Sequence, residues 1–83
     1  MERMQQPTSF RELLVVLAGG RGKRQKLVKE LGRDYWEVTY WARKNDIPGD
    51  YWDDVIELAA TKNMHWVTRD YLKGLRVEKA DGA

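Results

Sequence analysis

Two adjoining signals inside the chain leave little choice of architecture. Gly32 follows Leu31 where a helix end needs a positive φ, and Asp34 opens a new helix start almost at once. A helix over Lys23–Leu31 therefore runs through a tight turn into a second helix, capped by Asp34 and ending near Lys44. In the first, Leu27, Val28 and Leu31 share one face, while Lys23, Lys26 and Lys29 take the other. In the second, Val38 and Trp41 face inward. Trp36, Thr39, Tyr40 and Arg43 repeat at i, i+3, i+4, i+7 on the side about 180° away. Asp34-Tyr35-Trp36-Glu37 predicts an acidic capping box, with Glu37 reaching back to the Asp34 N–H. Helix, tight turn, helix is the connection of a helix-turn-helix, whose second helix enters a DNA major groove.

The remaining segments are helical too, because apolar residues recur at helical spacing and no stretch alternates with period two for long. Ser9 caps a helix to about Ala18, with Phe10, Leu13, Leu14 and Leu17 on one face; Gly19-Gly20 ends it. Asn45 and Asp46 break the helix that begins at Asp34, and Pro48 forbids its continuation. Gly49 or Asp50 caps a fourth helix ending near Lys62, with Trp52, Val55, Ile56 and Ala59 inward. Thr68 caps a short fifth helix, Arg69 to Lys73. Pro48 biases Ile47 toward an extended conformation, so Ile47 plugs the core as the chain redirects, and Tyr51 and Trp52 bury large area beside it. The expectation is an all-α, compact four- to five-helix domain over 9–76, with its motif at about 23–44. A flexible N-terminus, 1–8, and a polar tail, 77–83, flank it. With 83 residues, 42% of them hydrophobic, and four tryptophans, the chain carries enough apolar mass for one small core.

Several chemistries are disfavoured. Zero cysteines exclude a disulfide framework and thiolate metal sites, and a single histidine, His65, argues against zinc. Ser9 is the sole serine and serves as a cap. Gly19-Gly20-Arg21-Gly22 lacks the Lys-Ser/Thr ending of a phosphate loop. Asp50, Asp53, Asp54 and Glu57 form a stripe along one helix, a poor cage for a hard cation and better suited to a solvated face. No enzyme, cofactor, metal or small-molecule substrate is expected. The longest apolar run, Leu13 to Ala18, is far short of the ~20 residues of a membrane span. With no signal-peptide pattern, a cytoplasmic setting is the expectation.

Charge points to a partner. The net charge is only +2, yet the segment Arg21–Arg33 carries six bases and one acid, and Asn45–Glu57 five acids and no base. A basic segment of this kind suits a polyanion. Arg21, Lys23, Arg24, Lys26, Lys29 and Arg33 are the candidate phosphate contacts. Tyr35, Trp36, Thr39, Tyr40 and Arg43 are the candidate base contacts, offering donors, a methyl group and stacking surface. Arg24 falls on the apolar side of its helix by angle and reaches outward from the first turn. Arg33 occupies a turn position suited to an apolar residue; either it contacts DNA, or Trp36 supplies the missing packing.

The stretch Leu31–Leu72 resembles the lambda Cro/repressor-like helix-turn-helix regulators of phages and prophages. It is closest to the small carph-isopro domain subset. The resemblance is carried by Leu31-Gly32, by Val38 and Trp41 followed by Arg43, and by Ile47-Pro48 with Tyr51-Trp52 two residues on. Ala59-Ala60, Val67-Thr68 and Leu72 complete it. It implies a Cro-like DNA-binding fold and a role in transcription, typically repression. The chain departs from that pattern at Arg33 and in the aromatic character of its third helix.

The sequence thus predicts a sequence-specific regulator that binds double-stranded DNA. A homodimer would place two half-sites about 10 bp apart, with Tyr71, Leu72, Leu75 and Val77 as candidate dimer residues. The rival reading is a protein-interaction module using the aromatic third helix and the acidic fourth. A weaker one is DNA binding through phosphates without sequence preference.

Overall fold

In the computed structural model, which describes residues 6–81 (side chains to Val77), the chain forms five α-helices. They are α1 Phe10–Ala18, α2 Arg24–Leu31, α3 Tyr35–Lys44, α4 Trp52–Thr61 and α5 Arg69–Asp81. A single 3-10 turn, Gly49–Tyr51, leads into α4. No strand occurs among the described residues. The all-α expectation holds.

Local chemistry sets the ends of each helix. The Ser9 hydroxyl accepts from the Glu12 N–H at 3.2 Å, the Asp34 carboxylate from the Trp36 N–H at 3.0 Å, and the Thr68 hydroxyl from the Tyr71 N–H at 3.1 Å. Four helices close in the same way at their C-termini. Each overshoots into a residue of positive φ, at Gly19, Gly32, Asn45 and Asn63. The following N–H then returns five residues: Gly20 to Val15 O, Arg33 to Val28 O, Asp46 to Trp41 O and Met64 to Ala59 O. This is the Schellman closure, which satisfies carbonyls that a helix end otherwise leaves unpaired. Gly32 adopts φ +69°, the left-handed region that a side chain resists.

The apolar stripes meet in one core. Phe10, Leu13 and Leu17 of α1, Leu27 of α2, Val38 and Trp41 of α3, Val55 and Ala59 of α4 and Leu72 of α5 are all buried. Ile47 is buried with them, as the Pro48 constraint requires. α1 packs on α2 and α3, α2 on α3 and α4, and α4 on α5. Trp52 is buried, and its indole N–H donates to the Ile47 carbonyl at 2.8 Å. Tyr51 lies against Trp41 with ring centroids 5.0 Å apart. No buried side-chain nitrogen or oxygen lacks a partner among the described residues.

Several expectations need correction. The fifth helix does not end at Lys73 but runs to Asp81, so the polar tail is helical through that residue. Gly74 inside it costs about 1 kcal/mol relative to Ala. Burial of Leu75 and the bonds of Arg76 to Asp46 and the Ile47 carbonyl offset that cost. The last two residues lie outside the described ones. Of the expected flexible N-terminus, residues 1–5 lie outside the described ones, and Pro7 is buried, its carbonyl accepting from the Tyr71 hydroxyl. The fourth helix is entered through the 3-10 turn rather than from a Gly49 or Asp50 cap. The capping box at α3 is half formed, because the Glu37 carboxylate lies 3.9 Å from Arg33 instead of bonding the Asp34 N–H.

Gly32 offers a direct test of the turn. No atom lies within 4 Å of a Cβ built there, so a substitution meets backbone strain alone. Gly32→Ala is expected to lower stability by about 1–2 kcal/mol. Gly32→Asn should cost less, because Asn tolerates the left-handed region. Urea denaturation of the three proteins measures both values.

Candidate nucleic-acid interface

Helix α3 divides into two faces. Val38, Trp41 and Ala42 are buried, as the spacing requires. On the other side Trp36 is 72% exposed and Tyr40 55%, with Arg43 also exposed. Tyr35 sits at the edge of this face, 37% exposed. Its ring meets the Trp36 indole edge-on at 5.3 Å and 86°. This contact restrains an otherwise solvated indole. Lys44 lies 5.7 Å from the Tyr40 ring centroid. The face is thus aromatic, exposed and rimmed by cations.

The N-terminal end of α2 adjoins α3. The Arg24 guanidinium donates to the Thr39 hydroxyl at 3.3 Å. That bond leaves both residues half-buried and joins the basic helix to the aromatic face. Gly22, Arg24, Gln25 and Tyr35 line one shallow depression at the junction. The sequence places Arg24 on the apolar side by angle; the structure shows it crossing to α3. This bond was not foreseen, because its partners lie 15 positions apart and neither breaks a local rule.

The remaining cations sort into free and committed. Arg21, Lys23, Lys26 and Lys29 are exposed, with no carboxylate in ion-pair reach among the described residues; the same holds for Arg43. Three acids pair elsewhere, Glu30 with Lys62 at 3.0 Å, Asp53 with Arg69 at 2.6 Å and Asp46 with Arg76 at 3.1 Å. Arg33 has partners within the chain. Its guanidinium lies 4.9 Å from the Tyr51 ring centroid and pairs with Glu37. It therefore does the packing that an apolar residue would do at that position, and Trp36, being exposed, does not. The structure brings Arg24, Tyr35 and Thr39 together and sends Arg33 to the opposite flank of α3, beside Glu37 and Trp41.

Two arginines that the sequence did not single out hold the far end of α3. Arg11 donates through its backbone N–H to the Asn45 side chain, and through Nε to the Ala42 carbonyl, both at 2.9 Å. Arg76 donates to the Asp46 carboxylate and, at 2.8 Å, to the Ile47 carbonyl; its guanidinium lies 4.8 Å from the Trp52 ring centroid. Both are positioning groups for the helix that carries the aromatic face.

The acidic stripe is exposed at Asp50, Asp53, Asp54 and Glu57. Asp54 and Glu57 line a groove with Glu30, Leu31, Leu58 and Thr61, at the C-terminal end of α2. No group of three or more potential ligands is arranged to hold a metal ion among the described residues. No helix among them is long and apolar enough to cross a membrane. The candidate dimer residues are corrected in part: Leu72 and Leu75 belong to the core and Tyr71 is half-buried, leaving Val77 exposed. His65 is exposed.

Comparison with known protein families, with curated proteins and with solved structures gave no match.

The two faces of α3 predict opposite responses to the same substitution. Trp41→Ala removes a buried indole and is expected to cost about 3–5 kcal/mol. Trp36→Ala, on the exposed side, should change stability by no more than about 1 kcal/mol. Chemical denaturation followed by far-UV circular dichroism gives both numbers.

Proposed function

We propose that this chain is a sequence-specific DNA-binding regulator of transcription, most simply a repressor of the Cro-like phage and prophage type. Helix α3 lies in the major groove and presents Trp36, Thr39, Tyr40 and Arg43, with Tyr35 at its N-terminal edge. Arg21, Lys23, Lys26 and Lys29 hold backbone phosphates. Arg24 links the two sets through Thr39. Arg33, which lies against Tyr51 and Glu37 but keeps part of its side chain exposed, is a secondary phosphate contact.

The observation that carries the reading is the pairing pattern. Among the described residues, the four acids in ion pairs take their cations from the C-cap of α4, from α5 and from the Gly32 turn. Arg21, Lys23, Lys26, Lys29 and Arg43 stay exposed and outside these ion pairs, beside a solvated aromatic face. Unpaired like charges repel one another, and a polyanion relieves that repulsion while releasing its own counterions. The short, three-residue link between α2 and α3 supports the helix-turn-helix assignment. One such domain makes few base contacts, so two copies on adjacent half-sites are the natural binding unit.

A second reading has its own support. Trp36 at 72% exposure is also what a protein-binding hot spot looks like. On that reading α3 and the acidic face of α4 are the docking surfaces, and Trp36→Ala abolishes partner binding with no DNA affinity to lose.

Fluorescence anisotropy separates the two. The probes are duplexes from upstream of the protein's own gene and a scrambled control, each at two salt concentrations. The regulator reading expects salt-dependent binding that prefers the upstream duplex. Lys26→Ala should weaken binding to both duplexes and lower the salt slope by about 1. Arg43→Ala should cost about 1–3 kcal/mol on the preferred duplex and reduce the preference. Absence of binding to either duplex at low salt overturns the reading in favour of the protein module.

A further inference from the structure

We infer that the exposed face of α3 discriminates among bases chiefly by the C5-methyl group in the major groove, the methyl of thymine. This rests on the duplex-DNA reading above and specifies the chemistry it recognises.

The argument starts from what the face holds and what it lacks. Its largest exposed groups are the Trp36 indole and the Tyr40 phenol ring, with Tyr35 beside them. The helix Tyr35–Lys44 contains no Asn or Gln, the side chains that pair bidentately with adenine. Its one acid, Glu37, lies against Arg33 on the opposite flank and is not offered to cytosine. The Thr39 hydroxyl is held by the Arg24 guanidinium, which ties up part of its hydrogen-bonding capacity. Arg43 and Lys44 are the cationic donors of this helix, and both suit guanine rather than thymine. What remains is apolar area, and the thymine methyl is the apolar group that the major groove displays.

The geometry suits this use. The edge-on contact with Tyr35 restrains the Trp36 indole, so less freedom is lost on docking. Asp34 bonds the Trp36 N–H and fixes the start of the helix that carries it. A methyl seated on such a ring is removed from water together with the patch it covers. At the usual value for one buried carbon group, each contacted methyl raises affinity about fourfold. A 5-methylcytosine places the same group at the same ring position, so the face responds to it as well.

The test uses four synthetic duplexes of about 20 bp, two helical turns. They are alternating dA-dT, the same sequence with deoxyuridine in place of thymidine, alternating dG-dC, and the same with 5-methylcytosine. Within each pair the phosphate charge is identical, so the electrostatic contribution cancels. The native chain is expected to bind the methylated member of each pair about fourfold or more tightly. Trp36→Ala and Tyr40→Ala, each checked for helicity, should shrink that within-pair ratio toward one, whatever either does to overall affinity. Equal binding within both pairs overturns this inference and leaves the DNA reading standing. Retention of the full ratio by both variants also overturns it, since the selectivity would then arise elsewhere. Failure to bind any of the four at low salt overturns it together with the DNA reading.

Discussion

The exit from α3 is the point on which the rest of the structure depends. There the chain must leave a helix, bury Ile47 and turn into the 3-10 entry of α4. A bend of this kind exposes carbonyls that no helix satisfies. The local cap satisfies Trp41 and Ala42 through the Asp46 and Asn45 N–H groups, and side chains add further donors. Arg11 of α1 serves the Ala42 carbonyl, and Arg76 of α5 together with the Trp52 indole serves that of Ile47. The first and last helices thus meet at the end of the third without sharing a long interface. The orientation of α3, and of the side chains it displays, follows from that three-way bond set.

Much of this arrangement is legible from spacing. The limits of α1 and α3 follow from Ser9, Gly19, Asp34 and Asn45, because caps and left-handed stops are local chemistry. The division of α3 into a buried and an exposed face needs only the helical period. Three features were not legible, for one shared reason. The extension of α5 to Asp81, the turn position of Arg33 and the Arg24–Thr39 bond are each decided by a partner distant in sequence. A glycine at position 74 reads locally as a weak point, yet Leu75 and Arg76 are held from outside the helix. Arg33 reads as a cation free to meet a phosphate, yet Tyr51 and Glu37 claim it. Long side chains are the residues whose local angle predicts least, since their ends travel far from the helix face that carries them.

Net charge is a poor guide to what this surface attracts. A value of +2 suggests little preference for a polyanion. At physiological ionic strength, however, charges more than about 8 Å apart are largely screened from one another. An eight-residue helix such as α2 is about 12 Å long. Its N-terminal end, with Arg21, Lys23, Arg24 and Lys26, is therefore sensed apart from its C-terminal end, where Glu30 adjoins Asp54 and Glu57. A nearby polyanion meets two local surfaces of opposite sign rather than one average.

That separation also orients whatever docks. On the proposed reading, the acidic stripe of α4 turns phosphates away from the Glu30 side of α2, while the unpaired bases, Lys29 among them, accept them on its other side. The aromatic face of α3 adjoins the accepting side, through Arg24, Thr39 and Tyr35. Attraction and discrimination then reside in different residues held by one turn. On that reading the bases supply affinity that ignores sequence, and the rings supply contacts that depend on it. Arg24 belongs to both sets, so a change at that position alters the grip and the reading together. An exposed indole is costly to solubility when solvated alone. It is tolerable where neighbouring like charges keep copies of the chain apart until a polyanion neutralises them.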